Sequence, residues 1–181
     1  ERYDKRIESC FMTSDGSNHE YDQMWGARGQ RSRALAVLDT GCTKSMTSQA
    51  ALYDLLDTLD EKELASVTVA PSETSFCFAG GAVRSSFCKV TIPFKQTEMS
   101  LELALNEVTL PFTPGVKSIE LEVFQEGYTP ILLSLAQMKK LRSAIDLVNM
   151  RVQMDTDEGR RSWNLLETGG HIGICLNSGS I

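Results

Sequence analysis

LAVLDTGCTKSMTS (35–48) is the segment from which the fold and the chemistry of this chain are best argued. A short apolar run ends at Asp39, and Thr40-Gly41 breaks it, which is the pattern of a buried strand meeting a turn. A carboxylate at such a position is costly to bury unless it is hydrogen-bonded, paired or neutralised. Gly41 allows a sharp turn in which its amide points at the carboxylate, and Thr40 supplies a hydroxyl. Asp39 is therefore a candidate for general acid–base chemistry.

Outward from this segment, the apolar period changes from that of a helix to that of strands. Residues 47–65 place leucines and alanines at helical spacing with acids opposite, which predicts one helix capped by Thr47 or Ser48. Residues 72–94 alternate on both sides of Ala79-Gly80-Gly81, which predicts a β-hairpin. Short apolar or alternating runs predict further strands at residues 99–112, 117–124, 129–134, 144–154 and 171–177, and a short helix at 135–143.

Polar segments mark the ends and loops of this pattern. Alternation in 117–124 places Glu120 and Glu122 on a face exposed to water, and 155–162 is predicted to be a polar loop. Residues 1–32 lack an apolar period and form an N-terminal arm, which either pairs as an edge strand or is solvated as a tail. We therefore expect one mainly β domain over 33–177 and a short C-terminal tail over 178–181.

Composition excludes several classes of protein. The chain has 181 residues with 18 basic and 24 acidic side chains, and a formal charge of −6 argues against nucleic acid as a partner. Apolar residues make up 41%, which is enough for a folded core. No stretch approaches the roughly 18 apolar residues of a membrane span, and no signal-peptide pattern is present. Since the chain begins with Glu1, we expect a fragment or a processed product, in which any upstream targeting signal would not be visible.

Cysteine and histidine usage argues against disulfides and metals. Five cysteines, an odd number without a CxxC pair, favour free thiols in a reducing, cytoplasmic compartment. His19 and His171 are the only histidines, and no HExxH or paired Cys/His spacing occurs, so we expect neither a metal site nor a cofactor. A thiol protease built on Cys42 lacks local support for a histidine base.

The motif and the order of elements together resemble the retropepsin family of aspartic proteases, specifically its retrotransposon-type members. The segments that carry the resemblance are LAVLDTGCTKSMTS (35–48), FCFAGGAVRSSFCKVTIPF (76–94) and TPILLSLAQMKKLRSAIDLVNMRVQM (129–154). The DTG motif, the apolar element ending in serine before a helix, and the following AIDL strand are most specific. The resemblance implies an acid-protease fold with one lobe per chain, a flap hairpin and one or two helices.

The resemblance also implies roles for individual residues. Asp39 corresponds to the catalytic aspartate, within an active-site loop that includes Thr40, Gly41 and Cys42. Thr40 belongs to a hydroxyl network that locks two such loops together, and Gly41 lies next to the substrate backbone. The pliant tip of a substrate-binding flap corresponds to Ala79, Gly80, Gly81 and Ala82. The apolar segment behind the loop corresponds to Ile131, Leu132, Leu133 and Ser134.

Three further features bear on the resemblance. The final strand, 171–177, is a candidate for an intersubunit sheet. Cys42 stands where the family usually has alanine or serine, and Ser134 where it often has glycine. All of these residues are small, so close packing is retained.

Aspartic proteolysis needs two carboxylates that share one proton. This chain has one DTG, and Asp155-Thr156-Asp157 lacks the glycine, so the resemblance implies a homodimer that pairs two copies of Asp39. The expected activity is endoproteolysis of extended peptide or polyprotein segments. Two alternatives stay open: a catalytically silent dimerisation or peptide-binding module of the same fold, and a monomeric β-rich domain with an incidental DTG, since these residues also favour ordinary turns.

Overall fold

A computed structural model describes residues 7–10, 34–78, 81–94, 117–157, 159–168 and 170–176. This part of the chain is mainly β, which confirms that part of the predicted fold class. The predicted strand at 99–112 lies outside the described residues. The strands are β1 (Ile7–Cys10), β2 (Leu35–Asp39), β3 (Met46–Ser48), β4 (Thr68–Pro71), β5 (Ser75–Phe78), β6 (Val83–Ser85), β7 (Cys88–Pro93), β8 (Ser118–Phe124), β9 (Ile131–Ser134), β10 (Ala144–Asp146), β11 (Arg151–Asp155), β12 (Arg160–Asn164), β13 (Leu166–Thr168) and β14 (His171–Cys175). The helices are α1 (Gln49–Leu56), α2 (Glu61–Ser66) and α3 (Leu135–Lys140).

An eight-stranded sheet forms the centre of the fold, in the order β13-β14-β2-β9-β3-β8-β7-β4. Its central strands β2 and β9 are parallel, and the register pairs Asp39 with Ser134. The carboxyl ends of these two strands therefore meet at one edge of the sheet. Two smaller sheets flank it, with the orders β1-β5-β6 and β10-β11-β12.

The central strands are buried on both faces, as the continuous apolar run before Asp39 predicts. Alternate residues face opposite sides of a strand. Leu38 and Leu133 accordingly join the main core, while Val37 and Leu132 join a second cluster on the other face. Side chains from β7, β8 and the β11–β12 hairpin complete the main core. They include Val90, Ile92, Ile119, Leu121, Val123, Val152, Met154 and Trp163.

The single helix predicted over 47–65 is two helices in the structure, so that prediction was wrong in its extent. Ser48 caps α1 as predicted, with its hydroxyl oxygen accepting from the amide of Ala51 at 3.3 Å. The chain restarts at Asp60 because Asp60 and Glu63 form a capping box that satisfies free amides at the start of α2. Among the described residues, no helix combines the length and the apolar character needed to cross a membrane.

The final strand, β14, is paired on both sides within the chain, although not along its whole length. Residues 171–173 pair with β13, and residues 173–175 pair with β2. The approach to β2 is close, since a side chain at Gly173 would place its Cβ 2.7 Å from the carbonyl oxygen of Ala36. The expectation that 171–177 builds an intersubunit sheet stays a prediction, because the pairing within one chain does not test it.

The segment 155–162, predicted to be a polar loop, is a loop only in part. It contains the last residue of β11, the turn of the β11–β12 hairpin and the first residues of β12. Asp155 and Arg160 face each other in its register, with Oδ1 and Nη1 2.7 Å apart. The Asp155 side chain is fully buried and that of Arg160 is 5% exposed. The polar composition of this segment predicted that its residues are exposed to solvent. Composition does not show that two opposite charges, here Asp155 and Arg160, are buried together as an ion pair.

Candidate active site

Asp39 is the last residue of β2 and lies half-buried at the edge where β2 and β9 end. The amide of Gly41 donates a hydrogen bond to Asp39 Oδ1 at 2.9 Å, as the sequence predicts. Val37 and Asp39 are two residues apart in β2 and therefore face the same side of the sheet. The carboxylate consequently lies on the side that carries the second apolar cluster.

The loop after Asp39 is closed by short-range hydrogen bonds. The Cys42 amide donates to the carbonyl of Asp39 at 3.2 Å, and the Cys42 thiol donates to the carbonyl of Lys44 at 2.8 Å. Ser45 then ties the loop to β9: its hydroxyl accepts from the Ser134 amide at 2.9 Å and donates to the Ser134 hydroxyl at 3.2 Å. These bonds fix the backbone around the carboxylate and give buried Cys42 a structural partner.

Ser134 joins the end of β9 to the start of α3. Its hydroxyl caps the helix by accepting from the amide of Gln137 at 3.2 Å. The preceding residues are buried on alternate faces, with Ile131 and Leu133 in the main core and Leu132 in the second cluster. Ile131, Leu132, Leu133 and Ser134 thus lie in the strand paired with β2, at the back of the Asp39 loop.

The second cluster is built around three aromatic rings, and we call it the aromatic cluster. Phe76 packs edge-on against Phe124 with ring centroids 5.3 Å apart, and Phe78 lies 5.9 Å from the same ring. Its members are Val37, Cys42, Met46, Phe76, Phe78, Phe124 and Leu132, with Tyr128 packed against them. Since Phe76 and Phe78 belong to β5, the cluster holds the β5–β6 hairpin against the face that carries Asp39.

The β5–β6 hairpin lies where the alternation around Gly81 predicts a β-hairpin. Phe78 donates its amide to the carbonyl of Ala82 at 2.9 Å, and the Gly81 amide donates to the carbonyl of Phe78 at 2.8 Å. Gly81 has φ +82°, the left-handed conformation that hairpin turns require and glycine adopts without strain. Ala79 and Gly80, the other predicted tip residues, lie outside the described residues.

Thr40 is exposed at the surface of this single chain. It lines an open groove together with residues of α3, of β10 and of the link between them, which include Leu135, Met138, Lys139, Arg142 and Ile145. Leu135 and Ile145 are 41% and 38% exposed, so the groove next to Thr40 is partly apolar.

A buried carboxylate that the sequence pattern does not predict lies at the base of the hairpin. Glu122 of β8 is 6% exposed, although the alternation of apolar and polar residues in 117–124 predicts that it lies on the solvent-exposed face of the strand. It accepts hydrogen bonds from Ser72 at 2.6 Å, Ser86 at 2.8 Å and Thr74 at 3.1 Å. Thr74 also accepts from Lys44 Nζ at 3.3 Å, which connects this network to the Asp39 loop. The concentration of hydroxyl residues on either side of the hairpin was the available signal.

Glu122 also affects a neighbouring thiol. Burial, and secondarily the charge of Glu122, raise the pKa of Cys88 in β7. We expect Glu122→Gln to lower the Cys88 pKa, because it removes the second cause and leaves the first. The pH dependence of Cys88 alkylation by iodoacetamide, followed by peptide mass spectrometry, measures this shift.

Glu120→Gln is the matched control, because it removes the same charge from the same strand at a half-exposed position paired with Thr91. It should leave the Cys88 profile in place. Equal shifts in the two variants would contradict a specific effect of Glu122.

The remaining candidate groups are placed away from this arrangement. His171 is half-buried in β14, and Asp155 is paired with Arg160. Within the described ranges, no three His, Cys, Asp or Glu side chains are grouped so that they could hold a metal ion. Cys42, Cys77, Cys88 and Cys175 are not in disulfide bonds.

The arrangement therefore consists of one carboxylate at a strand end, a tightly bonded loop after it, and an aromatic hairpin packed over the same face. No protein-family model matches this chain, and no curated protein or solved structure is significantly similar to it.

Proposed function

We propose that this chain is a retropepsin-like aspartic endopeptidase of the retrotransposon type, with one lobe of the active enzyme per chain. The observation that carries the proposal is the setting of Asp39. Its carboxylate ends a central strand, accepts the Gly41 amide at 2.9 Å, and faces the side of the sheet covered by the β5–β6 hairpin. A carboxylate oriented in this way, with one oxygen hydrogen-bonded to backbone, is suited to activating water.

The reaction needs a second carboxylate, because one group must accept a proton while another donates one. In the proposed enzyme, one Asp39 takes a proton from water as the water oxygen attacks the peptide carbonyl carbon. The other Asp39 is protonated and stabilises the oxygen of the tetrahedral intermediate. The C–N bond then breaks, and the leaving amine takes up the proton that the first Asp39 removed from the water.

A homodimer supplies the second carboxylate. The sequence holds a single DTG motif, and Asp155 of the nearest alternative is buried against Arg160. Exposure of Thr40 beside a partly apolar groove supports contact between two Asp39 loops across a two-fold axis.

The proposed substrate is an extended peptide or polyprotein segment. In the proposed enzyme, the cleft between the hairpin and the Asp39 loop binds a strand by backbone hydrogen bonds, which suits an extended chain.

The test combines a peptide-library digest from about pH 4 to 7, where a carboxylate pair sharing a proton titrates, with sedimentation velocity on the same samples. We expect cleavage products only at chain concentrations at which the dimer forms. Peptide binding without cleavage would support the silent module instead. A monomer at high concentration without either activity would support the incidental motif.

A further inference from the structure

The hairpin over the Asp39 face carries a third strand from the start of the chain. β1 pairs in parallel with β5, in a register that places Ile7 opposite Ser75 and Cys10 opposite Phe78. The two strands are far apart in sequence, so this contact is long-range. The sequence left two alternatives for the N-terminal arm, an edge strand or a solvated tail. Residues 7–10 form an edge strand.

The hydrogen bonds of the hairpin show which backbone groups of β5 face β1. Phe78 donates to Ala82, and Ser86 donates to Thr74, so the even-numbered residues of β5 bond to the β6 side. Alternation then turns the N–H and C=O groups of Ser75 and Cys77 toward β1. In the parallel register, the groups of β1 that meet them belong to Glu8 and Cys10.

The edge of β5 lies close to the candidate active site. Phe76 and Phe78 anchor β5 in the aromatic cluster, which contains Val37 of the strand that ends at Asp39. Thr74, just before β5, is bonded to Lys44 of the Asp39 loop. A strand added to β5 lies about 4.8 Å from it and extends the layer that covers this face.

We propose that the outer edge of β5 binds an extended peptide running parallel to β5, and that Ile7–Cys10 occupies this edge as an internal competitor. The inference rests on the proposed function in taking a peptide as the ligand. Strand addition draws affinity from backbone groups and therefore accepts varied sequences. An occupant on the same chain has a high effective concentration, so a separate peptide binds only when β1 is displaced.

Two double variants of the full chain test whether β1 and a separate peptide compete for the outer edge of β5. Glu8→Pro/Cys10→Pro removes both N–H donors that face β5, whereas Ile7→Pro/Ser9→Pro removes donors that face away. Both are made with Asp39→Asn, so that peptide is not consumed. The probe is a fluorescein-labelled peptide of residues 5–12 with Cys10 replaced by serine, and its binding is followed by fluorescence anisotropy.

We expect Glu8→Pro/Cys10→Pro to bind the probe about tenfold or more tightly than its parent, and Ile7→Pro/Ser9→Pro to bind it like the parent. Amide hydrogen exchange gives a second readout. Protection of the Cys77 amide should fall in the first variant and return on adding probe, while the Phe78 amide, bonded to Ala82, stays protected.

Equal affinity in both variants, or probe binding that leaves Cys77 exchange unchanged, would overturn the proposal. Neither readout needs hydrolysis. Failure of the proposed protease activity would therefore show in the digest alone, and failure of the strand-binding edge would show here alone.

Discussion

We expect Asp39→Asn to lower the proposed peptide hydrolysis by about a thousandfold or more while leaving the fold and the proposed dimer in place. Asparagine retains an oxygen that can accept the Gly41 amide, so the loop geometry is preserved. It cannot accept a proton from water or share one with a second carboxylate, so the chemical step is lost. Initial rates on a cleaved library peptide, with sedimentation velocity of the variant, measure both parts of the expectation.

Asp57→Asn is the matched control, since Asp57 is exposed at the end of α1 and the charge change is the same. It should cleave at the rate of the unaltered chain. An excess of Asp39→Asn chains mixed with unaltered chains should also suppress activity, because mixed dimers hold one carboxylate. Undiminished hydrolysis by Asp39→Asn would reject a role for this residue.

Arg160→Met lowers the free energy of unfolding by about 3 kcal/mol or more. It leaves the carboxylate of Asp155 buried without the guanidinium 2.7 Å away. Arg142 remains 3.7 Å from the other oxygen and limits the loss. Arg160 also donates to the carbonyl of Arg142 at 2.9 Å, a bond that the variant lacks. Urea unfolding at fixed chain concentration measures the change, since the stability of a dimer depends on concentration.

Two comparisons separate charge burial from loss of a large side chain. Arg161→Met changes the exposed neighbour in β12 and should stay within about 0.5 kcal/mol. Asp155→Leu/Arg160→Met removes both buried charges and should recover most of the stability. A double variant as unstable as Arg160→Met would show that the buried carboxylate is not the cause.

Local patterns in the sequence were sufficient to predict the strands around the candidate site. A continuous apolar run before Asp39 signals a strand buried on both faces, and the structure has β2 with Val37 and Leu38 in different clusters. The alternation around Gly81 predicts the hairpin, because a hairpin turn needs a residue that accepts positive φ.

Features that depend on distant segments could not be predicted in this way. Alternation in β8 separates Glu122 from the main core, but it does not show that the β5–β6 hairpin covers the other face. The pairing of β1 with β5 and the placement of β14 between β13 and β2 are also non-local choices. The break before α2 was different, since the Asp60–Glu63 capping box was visible in the sequence and was overlooked.

The central claim is that two copies of Asp39 face each other across a two-fold axis and share one proton. A crystal structure of the dimer measures this directly, as the distance between the nearest oxygens of the two carboxylates. We expect about 2.5–3.0 Å, the range of a hydrogen bond between oxygens. Carboxylates held well beyond hydrogen-bonding reach in the assembled dimer, or a strictly monomeric chain that still cleaves peptides, would contradict the account.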